Sequence, residues 1–132
     1  MQPTAFFGKT YSEAMSLLVE ARNYLAYREP VDRARLLPLE RLRLCRETMR
    51  VTARLTQIMA WLIAQRAVHA GEMSQAAALG EHDALAEVTV CMGGAETESD
   101  DMPRPLADLL GRSRRLYVRV ARLDELARRQ LA

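Results

Sequence analysis

The chain has 132 residues, 49% of them hydrophobic and 27% charged, with a formal net charge of +2. That length supports one domain with a real core, the composition excludes a disordered chain, and the near balance of charge gives no whole-protein pull toward nucleic acid. Gly and Pro are scarce while Ala, Leu, Arg and Glu dominate, so the expected fold class is all-α.

No apolar run approaches the length of a membrane span, and the N-terminus lacks a basic start followed by a continuous apolar stretch. Neither membrane insertion nor a signal peptide is therefore expected. Cys45 and Cys91 are the only cysteines, and two thiols without a disulfide framework suit a reducing cytoplasm. Lys9 is the only lysine among 19 basic residues. Codon bias in a GC-rich genome accounts for that by itself; arginine also suits forked pairing with carboxylates at interfaces.

Residues 1–9 read as a lead-in. Thr10 or Ser12 can cap a first helix running to about Arg28, with Tyr11, Ala14, Met15, Leu18, Ala21 and Leu25 on its apolar face. Glu29-Pro30 is expected to end it, because the residue before proline avoids the α region. After a connector at 31–37, Pro38 suits the first turn of a second helix that meets no Gly or Pro until Gly71. From Leu39 to Ala70 this helix would be about 48 Å long.

Its first half has a polar side of Arg43, Arg46, Glu47, Arg50, Arg54 and Gln57. Leu42, Cys45, Met49, Val51, Leu55 and Ile58 fill the opposite side. In the second half the polar side disappears, so that Trp61, Ala64 and Val68 continue the arginine line. A helix apolar nearly all round must be covered nearly all round. Either residues 73–88 or a second copy would do this, which makes Met59, Trp61, Leu62 and Val68 candidate dimer or packing residues.

Ser74 can cap a short third helix over 75–87. Gly93-Gly94 and the acidic residues Glu96, Glu98, Asp100 and Asp101 make 89–103 an expected mobile loop. The last helix spans 104–130, with an apolar stripe of Leu106, Leu109, Leu110, Leu116, Tyr117, Val120, Leu123 and Ala127. The expected architecture is a single domain, 1–132: a three-helix bundle with a long central helix, a short additional helix and an acidic loop.

Little in the chain carries chemistry. His69 and His82 lie in no metal-ligand spacing, and Arg66 and Leu79 stand where a di-iron bundle needs glutamates. A zinc site from His69, Glu72, His82 and Cys91 is scattered, and free surface histidines are the simpler reading. Cys45 lies on an apolar face and is expected to be inert, whereas Cys91 lies in the loop and is open to reaction. Thr48, Thr52 and Thr56 are spaced to bond back to their own helix. No phosphate loop or nucleophile–base pair occurs, so neither an enzyme nor a cofactor is expected.

Two charge features remain. Arg22 falls in the apolar arc of the first helix and Asp124 in that of the last, which suggests a buried ion pair, with Arg50 or Arg54 as alternative partners for Asp124. Arg112, Arg115, Arg119 and Arg122 recur at three- and four-residue spacing and form one ridge, offset only by Asp108 nearby. A solvated face, a protein-docking face and a phosphate-binding face all fit it; the last lacks a recognition motif and stacking aromatics.

Two segments carry a resemblance: residues 49–68 with Gly71-Glu72-Met73, and Arg112-Ser-Arg-Arg-Leu-Tyr-Val-Arg-Val-Ala-Arg-Leu-Asp124. Glu20-Ala-Arg-Asn-Tyr-Leu25 is weakly similar as well. Together they resemble the alphaproteobacterial regulator-of-CtrA-degradation (RcdA) family over most of the chain, most strongly in the second helix. The acidic Gly93-Gly94 loop departs from that family's pattern, and no tail beyond Ala132 is expected to tether a partner. The resemblance implies a homodimeric three-helix bundle that acts as an adaptor. It would deliver cargo such as a cell-cycle transcription factor to the ClpXP protease, together with a response-regulator partner. A structural or assembly dimer and an Arg-rich nucleic-acid binder are the competing readings.

Overall fold

The computed structural model describes residues 3–81, 84–92 and 102–131. Its helices are α1 (Pro3–Asn23), α2 (Glu29–Ala34), α3 (Pro38–His69), α4 (Gln75–Gly80), α5 (Thr89–Met92) and α6 (Arg104–Leu131), with no strand among the described residues. The long helices α1, α3 and α6 all pack on one another around one apolar core, and the 84–92 segment closes the α3–α6 side. This is an all-α three-helix bundle with a long central helix.

The first helix starts at Pro3, earlier than Thr10, and Pro30 does not end it. A five-residue π turn, Tyr24–Arg28, absorbs the break. Helix α2 then begins afresh at Glu29 with Pro30 in its first turn, where no intrahelical N–H is needed. The Tyr24 hydroxyl donates to the buried Asp32 carboxylate at 3.0 Å and so clamps the two sides of the turn. Burial, and then that carboxylate, push the phenol pKa well above its ordinary value. The buried face also differs from the expected one. Leu17 and Tyr24 join Ala14 and Ala21 inside, whereas Met15, Leu18 and Leu25 stay exposed. Apolar residues lie on more than one side of α1, so periodicity alone could not select the core side.

Helix α3 starts at Pro38, and the Glu40 carboxylate accepts the Leu37 N–H at 2.9 Å. It stops at Gly71, whose φ of 76° lets Glu72 and Gly71 donate back to the Ala67 and Val68 carbonyls at 2.9 and 3.1 Å. Val51, Leu55 and Ile58 are buried as expected, but the rest of its two sides is turned relative to expectation. Glu47, Arg54 and Gln65 are buried, while Leu42 and Met49 are 67% and 64% exposed. Arg54 is satisfied by the 84–92 segment and α6, Glu47 accepts from Arg50 of its own helix at 3.1 Å through one oxygen only, and Gln65 donates to Gln75 of α4 at 2.9 Å.

Ser74 caps α4, its hydroxyl accepting the Ala77 N–H at 3.1 Å. This helix ends at Gly80, not near 87, and a 3-10 turn at Leu85–Glu87 follows. Both backbone groups of Leu85 are held by α6 side chains, which offsets the lost helix. The expected acidic loop opens as helix α5, and residues 93–101 lie outside the described residues. Helix α6 runs uninterrupted through Gly111, with Leu106, Leu109, Leu110, Leu116, Tyr117 and Val120 buried.

Candidate protein-docking site

A polar cluster inside the core surrounds Asp124, which is 1% exposed. Its carboxylate accepts from Trp61 Nε1 at 3.0 Å, from the Leu85 N–H at 3.1 Å and from Arg128 Nε at 3.0 Å. The expected Arg22–Asp124 pair does not form: Arg22 is exposed and donates to the side chain of Asn23. Arg128, one helical turn beyond Asp124 on the same helix, is the cation that neutralises it. The indole N–H of a buried tryptophan needs an acceptor, and Asp124 supplies it.

Trp61 and Leu62 are buried within the single chain, so they cannot form a dimer surface; Met59 and Val68 are half-buried. Phe7 from α1 contributes to the cover over Trp61, with ring centroids 6.1 Å apart. Its ring also meets that of His69 at 4.8 Å, tilted by 54°. No cluster of three metal-ligating side chains occurs among the described residues; His82 lies outside them.

The cysteines exchange their expected roles. Cys45 is exposed and Cys91 is fully buried, its thiol pKa raised chiefly by burial. The reason is again the turned face of α3 and the anchoring of 84–92 by arginines: Arg50 Nε donates to the Val90 carbonyl at 3.2 Å and Arg54 Nε to the Cys91 carbonyl at 2.8 Å. In protein diluted to the single chain, a maleimide is therefore expected to modify Cys45 rapidly and Cys91 only after denaturation. Mass spectrometry showing both thiols labelled at equal rates would contradict this burial.

Two surfaces have the character of docking sites. The first is the outer face of α3. Leu42, Cys45, Met49, Thr52, Thr56, Ala60 and Ile63 are all exposed there, and none is charged. The hydroxyls of Thr48, Thr52 and Thr56 are spent on the carbonyls of Cys45, Thr48 and Thr52 at 2.8, 3.0 and 2.8 Å. With those hydroxyls tied back, the surface is less polar than the residue names suggest.

The second is a groove of about 560 Å³ where Glu13 of α1 faces the arginine ridge of α6. The four ridge arginines are not equivalent. Arg112 is gripped by Glu20 through two bonds of 2.7 Å and also reaches Asp108 at 3.0 Å. The same contact holds the Glu20 carboxyl below its ordinary pKa. Arg119 meets Glu13 at 2.6 Å. Arg115 and Arg122 are exposed and have no ion pair among the described residues. Asp108 is thus not the ridge's only counter-ion, because α1 supplies two more. Arg114, absent from the expected set, also lines the groove, and its buried Nε has no hydrogen-bond partner.

No helix among the described residues is long and apolar enough to cross a membrane. Over residues 1–132 the chain matches the family described as "Protein of unknown function (DUF1465)". It is also similar to the crystal structure of RcdA from Caulobacter crescentus CB15. The two share 36% sequence identity with a TM-score of 0.69, over 92% of this chain and 89% of that one. No curated protein matches it.

Proposed function

The chain belongs to the RcdA family, also described as DUF1465, and on that premise we propose that it is a homodimeric adaptor of the cytoplasm. It carries other proteins to a ClpXP-type protease and turns over no substrate of its own. The observation that supports this most is the 36% identity to RcdA over 92% of the chain, together with the adaptor role that the family resemblance implies. The distribution of chemistry agrees. Tyr24, Tyr117 and Cys91, whose pKa values are raised chiefly by burial, all lie inside the core and not at an open cleft. The partners proposed are ClpXP, a response regulator and a transcription-factor cargo.

Capture from native lysate on the immobilised protein tests the reading. Protease and response-regulator peptides are the expected result. Self-association alone would replace it with the assembly-protein reading, and nucleic acid lost on nuclease treatment with the nucleic-acid reading.

The dimer is proposed to form through the outer face of α3. From Leu42 to Ile63 the uncharged stripe is about 32 Å long. A second copy crossing it about a two-fold axis would set Leu42 and Met49 against the partner's Thr and Ala positions, where small side chains allow close approach. Light scattering at roughly tens of micromolar is expected to give twice the chain mass of 14.9 kDa. Thr56→Arg should return the single-chain mass with unchanged helicity. A wild-type monomer at that concentration overturns the dimer, and a Thr56→Arg variant that still dimerises overturns its placement.

A further inference from the structure

We propose that the groove between α1 and α6 binds an extended acidic peptide segment, read by Arg115 and Arg122, with Arg114 beside them. The proposal deepens the protein-binding reading by naming the chemistry of what docks.

The division of labour along the ridge carries the argument. Arg112 and Arg119 already have carboxylates from α1, and these contacts fix the wall of the groove. Arg115 and Arg122 are left exposed without an ion pair among the described residues, and the Arg114 Nε is buried without an acceptor. Arg115 and Arg122 are seven residues apart, two turns of α6, so they emerge on the same side about 10 Å apart. In an extended segment that distance separates acidic side chains about three residues apart. Between the two arginines along α6 lies Val118, which lines the groove together with the buried Leu17 of α1. An apolar residue between the two acids of the segment fits that floor. Forked donors suit carboxylates.

Two features favour a peptide over a nucleic-acid strand. No aromatic ring lines the groove to stack on a base. Glu13 stands on its α1 side and disfavours a continuous phosphate backbone, while a peptide can present its acids only opposite the unengaged arginines.

The test is fluorescence anisotropy with a short fluorescein-labelled peptide carrying two glutamates about three positions apart around a leucine. Saturable binding that weakens with salt is expected. The same peptide with glutamines should not bind. Arg115→Glu combined with Arg122→Glu should weaken binding by about tenfold or more without changing helicity or dimer mass. Glu13→Gln, which releases Arg119, should tighten it. Equal binding of the glutamine peptide, an unchanged affinity in the double variant, or tighter binding of a single-stranded DNA of similar length overturns the proposal. The adaptor reading is tested separately by the identity of lysate partners. Peptide binding without protease capture sinks the adaptor and leaves the groove; protease capture without peptide binding does the reverse.

Discussion

Replacing Asp124 with alanine is expected to lower the unfolding free energy by about 3–5 kcal/mol. The side chain is 1% exposed and accepts three hydrogen bonds from groups on three different parts of the chain. Its removal leaves the Trp61 indole N–H and the Leu85 N–H buried without an acceptor, and deprives Arg128 of its counter-ion. Asp124→Asn separates the contributions. Its amide oxygen can still serve Trp61, but its NH₂ then faces the Leu85 N–H or Arg128, so an intermediate loss of about 1–3 kcal/mol is expected. Urea denaturation at constant slope measures both. Hydrogen exchange at Leu85 should accelerate in the alanine variant, because that amide loses its acceptor. An Asp124→Ala midpoint equal to wild type would show that the cluster is not buried as described.

Arg54→Ala is the other large effect, with an expected loss of about 2–5 kcal/mol. Arg54 is 0% exposed and donates to the Cys91 carbonyl at 2.8 Å, to the Leu110 carbonyl at 3.0 Å and to the Ser113 hydroxyl at 3.3 Å. One guanidinium thereby joins α3, the 84–92 segment and α6. Truncation strands buried acceptors and opens a space that the surrounding helices cannot easily close. Lysine should not rescue it, since a point-like ammonium cannot reproduce a planar fork of donors. A separate readout marks the site: without Arg54 the Cys91 segment loses an anchor, so Cys91 should become maleimide-reactive under native conditions. Unchanged stability together with a protected Cys91 would remove Arg54 from this role.

These two residues also show where the sequence was legible and where it was not. The buried face of α6 could be read directly, because its apolar residues keep to one side and arginines fill the other. Helix α3 resisted the same treatment. It hides Glu47, Arg54 and Gln65 and exposes Leu42 and Met49, and it is partners the periodicity does not show that make this stable: the Cys91 and Leu110 carbonyls for Arg54, Gln75 for Gln65 and Arg50 for Glu47. Asp124 was recognisable as a charge on a core face, but Arg22 was the wrong partner. The spacing of Asp124 and Arg128 on one helix, acid first, was the available signal. Pro30 misled in a different way, since a π turn upstream allows a new helix to start just before it. The arginine ridge was visible as a pattern. Its division into engaged and unengaged arginines was not, because Glu20 and Glu13 reach it from a helix 92 and 106 residues earlier in the chain.

An adaptor of the kind proposed would promote the degradation of a partner without chemistry of its own. The most direct test is the rate at which purified ClpXP degrades a captured partner, measured with increasing amounts of this protein. The expected result is a rate that rises and saturates with the added protein, while the protein itself stays intact and its Arg115→Glu/Arg122→Glu variant has less effect. A partner that binds but is degraded at an unchanged rate would contradict the adaptor account.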